Sequence, residues 1–294
     1  MSRTPDVVGQ KTSGTSLLIR RIVAYVVLIL LVFISLFPFY LLIINATRGK
    51  IQNGIDFLPS GNMMNNFKKL FSDDSAARYG NILQSFLNSF IISGVSCVIS
   101  VYFSALTAYA IHVYDFKLKK FAFTFILLIM MVPTQASAIG FYRMMISWGL
   151  IDSFIPLIVP SIAAPAVFFF MKQYMDSSLP LEIVEAARID GCGEFRTFNS
   201  IVTPILKPAF AVQGIFQFVA SWNNYFMPRM ILQQKKTIPL VLQTMKAEIL
   251  GNPQVAHAGV MSLYMVLAIL PVVIVYLCLS KFIIRGIALG SVKG

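Results

Sequence analysis

Residues 181–195 read LEIVEAARIDGCGEF, and this short stretch holds four of the twelve acidic residues in a chain of 294. The four are Glu182, Glu185, Asp190 and Glu194. Most of the remaining chain is apolar, and acidic side chains are costly to place against lipid. We therefore expect this stretch to meet a partner other than the bilayer.

The composition predicts an integral membrane protein. Hydrophobic residues make up 57% of the chain and charged residues only 12%, whereas about a quarter of the residues in an average soluble domain are charged. The mean hydropathy is +0.76. The net charge of +12 comes from Lys and Arg at the edges of apolar runs, so no basic patch for nucleic acid is indicated.

Six apolar runs are long enough to be membrane spans, since a bilayer core takes about 20 residues of helix. They lie near 22–44, 84–112, 120–142, 154–175, 208–231 and 258–284. The first run is about twice as long as a signal-peptide core, and no small-residue cleavage site follows it. We expect it to remain as an anchor.

The basic residues predict which side of the membrane each loop occupies. An even number of spans places both termini on one side, and Arg20, Arg21 and the loop FKLKK at 116–120 are charges that favour the cytoplasm. Both termini and the stretch 181–195 are therefore predicted to be cytoplasmic. The predicted divisions are an N-terminal segment 1–21, a transmembrane domain 22–284 with a cytoplasmic loop 176–207, and a tail 285–294.

Polar residues form patterned faces on two predicted spans. On the second span, hydroxyl residues recur every three or four positions, which is the period of one helical face: Ser85, Ser89, Ser93, Ser96, Ser100, Ser104 and Thr107. Small polar residues let helices approach closely. We favour a packing face here over the wall of a watery pathway.

The fifth span carries larger polar residues, and these are the candidate substrate path: Gln213, Gln217, Ser221, Trp222, Asn223, Asn224 and Tyr225. Amide groups facing lipid are costly. They should face protein or a cavity, where flat aromatic rings and amides together suit a sugar. Hydrogen bonding between helices explains the pattern equally well.

Several classes of function have little support. Charged residues are missing from the middle of the spans, which disfavours ion-coupled transport. The cysteines and histidines are too scattered for a metal site, so none is expected: Cys97, Cys192, Cys278, His112 and His257. No carboxylate pair or nucleophile set indicates an enzyme. A phosphate-binding G-x-x-x-x-G-K-[ST] loop is also missing from the sequence.

The stretch 181–195 is predicted to form a helix, a glycine turn and a second helix. Pro180 suits a first helical turn, and Gly191 suits the left-handed residue that ends a helix. The second helix should run from Glu194 to about Val202 and end before Pro204. A DNA-binding helix-turn-helix is disfavoured, because this stretch has no basic stripe. A helix lying in the lipid headgroup layer is disfavoured as well, because such helices are basic and this one is mostly acidic. We favour a protein dock, whose apolar surface would be formed by Leu181, Ile183, Val184, Ala186 and Ala187.

The segment EAARIDGCGEFRTFNSIVTP, residues 185–204, resembles the EAA signature of membrane subunits in binding-protein-dependent ABC importers. The matching positions are Glu185, Ala186, Ala187, Gly191, Ile201 and Pro204. Thr203 stands where leucine is usual. The segments PLEIVEAARIDG, SWNNYFMPRMIL and GIALGSVKG further resemble the carbohydrate-uptake subfamily, in particular its maltose-type members.

This resemblance implies a type I importer permease fold of six spans in the cell membrane, and it implies specific partners. These are a second homologous permease, two ATPase subunits that hold ATP and magnesium, and an extracytoplasmic sugar-binding protein. The chain itself would need no cofactor. The residues implied in ATPase coupling are Glu182, Glu185, Ala186, Ala187, Asp190 and Gly191. The tail residues implied in ATPase contact are Ser291, Val292, Lys293 and Gly294.

The resemblance also implies that an external loop at about 233–257, with Lys235, Lys236 and Lys246, contacts the binding protein. A merely solvated loop remains an equal alternative. The predicted function is a permease subunit of an ATP-driven carbohydrate importer, with an oligosaccharide as the expected substrate. The alternative is a stand-alone secondary transporter or channel for a small polar solute.

Overall fold

The computed structural model describes residues 14–49, 57–251 and 258–290, and the regular structure in these ranges is helical. In chain order the helices are α1 Gly14–Ala46, α2 Met63–Leu70, α3 Asp73–Tyr79, α4 Ile82–Val113, α5 Lys119–Met130, α6 Thr134–Ser147, α7 Ile155–Ile158, α8 Pro165–Ser178, α9 Leu181–Ile189, α10 Glu194–Arg196, α11 Thr203–Ile205, α12 Lys207–Trp222, α13 Phe226–Ile231, α14 Ile238–Gly251 and α15 Ala258–Gly290. The predicted all-α architecture is confirmed there. The predicted tail contacts at 291–294 lie outside the described residues.

Four helical runs are long and apolar enough to cross a bilayer unaided: Leu17–Ala46, Ile82–Val113, Ile155–Ser178 and Ala258–Phe282. Two further candidates are pairs of helices joined at sharp bends, which brings the total to six if each pair counts as one span. The helices are thus compatible with six spans. The span count and the cytoplasmic placement of the termini remain predictions.

The third predicted span, 120–142, is not one continuous helix. The structure divides it into α5 and α6, whose axes differ by 92°. Pro133 lies at the break with extended backbone angles of φ −66° and ψ 122°. Proline has no N–H to donate, and it disfavours helical geometry in the residue before it. The predicted span is therefore bent at this point, and its two helices together remain one candidate span.

The fourth and fifth predicted spans are also interrupted. A 3-10 turn at Val159–Ile162 separates α7 from α8, although the whole run still serves as one candidate span. The fifth run was predicted as a single helix, but α12 ends at Trp222 and α13 begins at Phe226. The side chain of Asn224 accepts a hydrogen bond from the backbone N–H of Met227 at 3.4 Å, which helps to begin α13.

Helix α4 lies at the centre of the molecule, packed along α12 and α8. All six serines of its predicted hydroxyl face are buried. Ser85 hydrogen-bonds Tyr264 across 3.1 Å, and Ser89 accepts the backbone N–H of Ile238 at 2.9 Å. The packing interpretation is confirmed for these serines. It is wrong for Thr107, which is exposed and bonds only within its own helix.

Gly259 marks a close contact between α15 and the end of α1. The amide of Asn66 donates to the carbonyl oxygens of Ala46 at 2.9 Å and Arg48 at 2.7 Å. A Cβ atom at Gly259 would collide with the Arg48 carbonyl and lie 2.7 Å from the Asn66 amide nitrogen. Only glycine leaves enough space for this junction.

We expect Gly259→Ala to lower the midpoint of thermal unfolding of the purified chain, because overpacking a tight contact costs about 1–3 kcal/mol. Gly214→Ala is the matched control, since its Cβ would meet other atoms at 3.7 Å or more. Scanning fluorimetry in detergent compares the two variants. Equal midpoints would contradict this expectation, because they would show that the α1–α15 junction accommodates the added Cβ.

Candidate functional site

Residues 181–205, called the EAA hairpin below, begin with α9 and turn at a glycine. Pro180 precedes α9 with extended backbone angles, and the helix ends at Ile189. Gly191 has φ +75°, the left-handed region in which glycine has no Cβ penalty. The backbone N–H of Cys192 donates to the carbonyl of Ala187 at 2.9 Å. The predicted helix and glycine stop are confirmed.

The second arm of the EAA hairpin differs from its prediction. A helix from Glu194 that ends before Pro204 is wrong, because the helical path continues through a π-helical turn at Thr197–Val202 into α11. A π turn contains one extra residue, so it bends the path and relaxes the usual spacing of backbone hydrogen bonds. The hydroxyl of Thr203 donates to the carbonyl of Phe198 at 3.0 Å. The residue that departs from the usual leucine thus supports the wide turn.

An ion pair holds the two arms together. The Arg188 guanidinium donates to the Glu194 carboxylate at 2.6 Å, and the Tyr109 hydroxyl of α4 donates to the other carboxylate oxygen at 3.1 Å. Arg188 also lies over the Tyr114 ring, 5.4 Å from its centroid. One carboxylate therefore joins both arms of the hairpin to the end of α4.

The hydrogen bond from the Arg188 guanidinium holds the pKa of the Glu194 carboxyl below its usual range. A carboxyl whose pKa is lower in the folded state contributes stability above its unfolded pKa and loses it as the pH falls through the folded value. The Arg188–Glu194 ion pair is therefore formed at neutral pH and is lost only in acid. Both partners are partly exposed, so solvent screening keeps the contribution small.

One face of the hairpin is buried in the molecule. Val184, Phe198 and Val202 belong to the core between α4, α8 and α12, and Ala187 is buried as well. The predicted docking role of Val184 and Ala187 as surface residues is therefore wrong. Their side chains attach the hairpin to the spans, so a displacement of one is transmitted to the other.

The opposite face of the hairpin is an exposed stripe. Its members lie alternately three positions and one position apart, which groups them on one side of the helix: Glu182, Glu185, Ala186, Ile189 and Asp190, with Gly191 at its end. Among the described residues none of its three acids forms an ion pair. Ile189 is 86% exposed and Phe195, across the turn, is 72% exposed. The stripe has the apolar and acidic groups needed to bind a protein.

Sequence reasoning missed Ile189 and Phe195. A signal was available, because the two large apolar residues flank the glycine turn, where no neighbouring element covers them.

Sequence reasoning also missed His112, whose ring bonds the Asp176 carboxylate at 2.9 Å and the Leu179 carbonyl at 2.9 Å. These contacts tie the end of α4 to the segment that leads into α9. The partners of His112 are distant in sequence and could not be read from it.

The structure separates the predicted substrate-path residues. Trp222 is buried, stacks on Phe218 with ring centroids 5.4 Å apart, and donates to the carbonyl of Ala268 at 3.1 Å. Gln213 is also buried. The partly exposed or exposed positions are Gln217, Ser221, Asn223, Asn224 and Tyr225. The path residues thus fall into a packed group and an accessible group.

Tyr225 lines a cavity of about 330 Å³ between α13 and α14. The polar residues around it are Arg229, Lys236, Gln243 and Thr244. Arg229 also borders a second cavity of about 520 Å³, together with Tyr142 and Gln233. These two spaces, called the outer cavities below, lie at the end of the fifth span away from the EAA hairpin.

An aspartate fixes the segment that follows α13. Asp152 has φ 59°, and its carboxylate accepts the backbone N–H groups of Gln233, Gln234 and Lys235 at 3.0 to 3.1 Å. Partial burial pushes the pKa of this carboxyl up, but the three donors outweigh burial and lower it. The predicted external segment 233–257 thus begins with this anchored corner, which leads into helix α14.

We expect Gly191→Ala to loosen the hairpin, because a left-handed residue with a Cβ costs about 1–2 kcal/mol, or roughly tenfold in a local opening equilibrium. Gly193→Ala is the matched control, since Gly193 has φ −67° and ψ 150°. Hydrogen exchange of 181–195, followed by mass spectrometry, should be faster only in the first variant. Identical exchange in the two would mean that the turn carries no strain.

Comparisons with known proteins agree with this geometry. The family model of the binding-protein-dependent transport system inner membrane component matches residues 100–289. The arabinooligosaccharides transport system permease protein AraQ of Bacillus subtilis strain 168 is 32% identical over 281 residues, covering 93% of this chain and 96% of that protein. The maltodextrin transport system permease protein MdxG of the same organism is 31% identical over 290 residues, covering 96% and 99%.

A solved structure shares the fold. It is a crystal structure of a bacterial ABC transporter involved in the import of the acidic polysaccharide alginate, with a TM-score of 0.74 and 22% identity over 95% of this chain and 99% of that one. The multi-pass arrangement of apolar helices places the chain in the cell membrane. From the family match and these relatives, the chain belongs to the inner membrane components of binding-protein-dependent transport systems.

Proposed function

We propose that the chain is the permease subunit of an ATP-driven carbohydrate importer and forms half of the translocation pathway beside a second, homologous permease. Relatives are named for arabinooligosaccharides, for maltodextrin, and for melibiose, raffinose and stachyose. These names favour an oligosaccharide as the substrate. The observation that carries the proposal is the exposed stripe of the EAA hairpin, which is rigidly joined to the spans.

The EAA hairpin is proposed to seat in a cleft of an ATPase subunit that holds ATP and magnesium. Ile189 and Phe195 offer apolar anchors that lose their exposure when a partner covers them, which is a favourable change. Glu182, Glu185 and Asp190 surround these anchors and give the surface an acidic rim. A charged rim of this kind selects a partner and orients it.

Force applied to the hairpin would reach the spans through packed side chains. Val184, Phe198 and Val202 lie in the same core as α4, α8 and α12, and the Arg188–Glu194 pair keeps the two arms from separating. Close-packed interiors transmit strain. Closure of two ATPase subunits would then draw two such hairpins together and turn the spans outward, which is a domain-scale rearrangement between two states.

Two further contacts are proposed at the ends of the pathway. The tail residues Ser291, Val292, Lys293 and Gly294 would contact the ATPase subunits. The corner anchored by Asp152 and the following helix α14, with Lys236 and Lys246, would face the extracytoplasmic sugar-binding protein. A rigid corner suits this role because little freedom is lost when a partner binds.

We expect Glu185→Lys to abolish ATP-driven uptake of a radiolabelled oligosaccharide while membrane insertion stays normal, because the exposed charge is reversed where the ATPase would sit. Asp115→Lys is the control, since Asp115 is also an exposed acid on the predicted cytoplasmic side. Uptake is measured in cells with an intact partner set. Full uptake in the Glu185 variant would refute the coupling role, and uptake by the lone chain without ATP would indicate the stand-alone transporter.

We expect Ile189→Asn to reduce the amount of ATPase that co-purifies with the chain by more than tenfold, because a buried isoleucine contributes about 1.5–3 kcal/mol. Leu118→Asn is the control, since Leu118 is 65% exposed in the predicted cytoplasmic loop and is not part of the hairpin. Quantitative immunoblotting of affinity-purified complexes measures the ratio. Equal retention of ATPase by both variants would place its contact elsewhere.

A further inference from the structure

We propose that the outer cavities bind an anionic group of the transported solute, so that the substrate is an acidic saccharide. The inference rests on the proposed function, because it names the substrate class of the same pathway. It depends on two cationic side chains, Arg229 and Lys236, that border the cavity beside Tyr225. No acidic residue of the described chain lines either cavity.

The two cations at this place lack the acidic partners that some cations elsewhere in the described ranges have. Arg78 pairs with Asp74 at 3.1 Å and with Glu248 at 2.9 Å, and Arg188 pairs with Glu194 at 2.6 Å. Within the residues that the structure describes, neither Arg229 nor Lys236 forms such an ion pair. Two cations that share one cavity repel each other. An anion between them would relieve that repulsion.

Lys236 is held in position by its backbone and its stem. Its carbonyl accepts a hydrogen bond from the buried Asn88 side chain at 2.8 Å, and its Cγ lies 3.3 Å from where a Cβ at Gly80 would be. The three preceding residues are fixed by the Asp152 carboxylate. A cation on a fixed backbone loses less freedom when it binds a ligand.

Arg229 is held by the short helix α13, on which Pro228 and Ile231 are buried. Arg229 lines both outer cavities. A guanidinium presents a planar fork of donors that matches a carboxylate or phosphate. Arg229 can therefore contact an anionic group from either cavity.

The neutral residues of the cavity indicate a saccharide as the carrier of the anion. Tyr225 is 37% exposed and offers part of its ring face, while Gln243 and Thr244 offer groups for hydroxyl recognition. The volume of about 330 Å³ lies at the lower end of the range of small-molecule sites. A neutral sugar would leave two cations without partners when the pathway closes, which is unfavourable. The site thus discriminates by charge.

The test uses the full chain, in the complex in which it purifies, in nanodiscs of phosphatidylcholine. Phenylglyoxal modifies accessible arginines, and mass spectrometry reports the modification rate at Arg229. We expect digalacturonate to slow this rate, while the neutral disaccharide of galactose does not. Lys236→Gln should weaken the protection about tenfold, as expected for one lost charged hydrogen bond. Lys68→Gln is the control, because Lys68 is exposed on helix α2 and borders neither cavity.

A second measurement covers the case in which Arg229 does not react. Saturation-transfer NMR should then show contact of digalacturonate with the wild-type complex and loss of that contact in Arg229→Gln. The proposal is overturned if digalacturonate neither protects Arg229 nor gives this difference, or if the neutral disaccharide acts equally.

Other sources of an anion give distinct results. Protection that appears with phosphatidylglycerol and no saccharide would assign the cations to lipid headgroups. Protection given by the sugar-free binding protein but not by digalacturonate would assign them to a protein contact alone. Either result overturns the proposal. None of these measurements needs ATP, so their failure is distinguishable from failure of the proposed importer function, which is tested by ATP-driven uptake.

Discussion

The burial of Val184, Phe198 and Val202 between α4, α8 and α12 is the contact on which the other features depend. An exposed hairpin joined to the spans only by flexible loops would move without moving them. Here the apolar face that is removed from water also fixes the opposite, acidic face in one orientation. The same burial that stabilises the hairpin thus makes it a rigid part of the spans.

The two ends of the molecule differ in the charged groups that they expose. At the hairpin end, acids are exposed and Arg188 beside them is neutralised by Glu194. At the outer cavities, Arg229 and Lys236 border open space, and the neighbouring carboxylate of Asp152 is occupied by backbone donors. Between the two ends, the buried serines of α4 lie against neighbouring segments of the bundle, which small residues allow to approach closely. A tightly packed centre therefore connects two surfaces of opposite charge.

Local patterns in the sequence predicted the elements whose cause is local. The serine face of α4 and the stop at Gly191 follow from periodicity and from backbone preference. The helix breaks could not be predicted in the same way, because proline has different outcomes: Pro38 and Pro271 lie inside helices, whereas Pro133 precedes a bend of 92°. Packing of neighbouring helices decides between these outcomes. The division of the fifth span likewise separated Trp222 from Tyr225, which a continuous helix would have kept on adjoining faces.

The π-helical turn at Thr197–Val202 has a consequence for how movement could pass along the chain. The extra residue can migrate by one position while most backbone hydrogen bonds are exchanged for new ones. Each residue that it passes would rotate by about 100° and advance by about 1.5 Å. Such stepwise migration would change the register between the second arm of the EAA hairpin and α12 without unfolding either one. The turn would then act as an adjustable joint whose steps are the size of single residues.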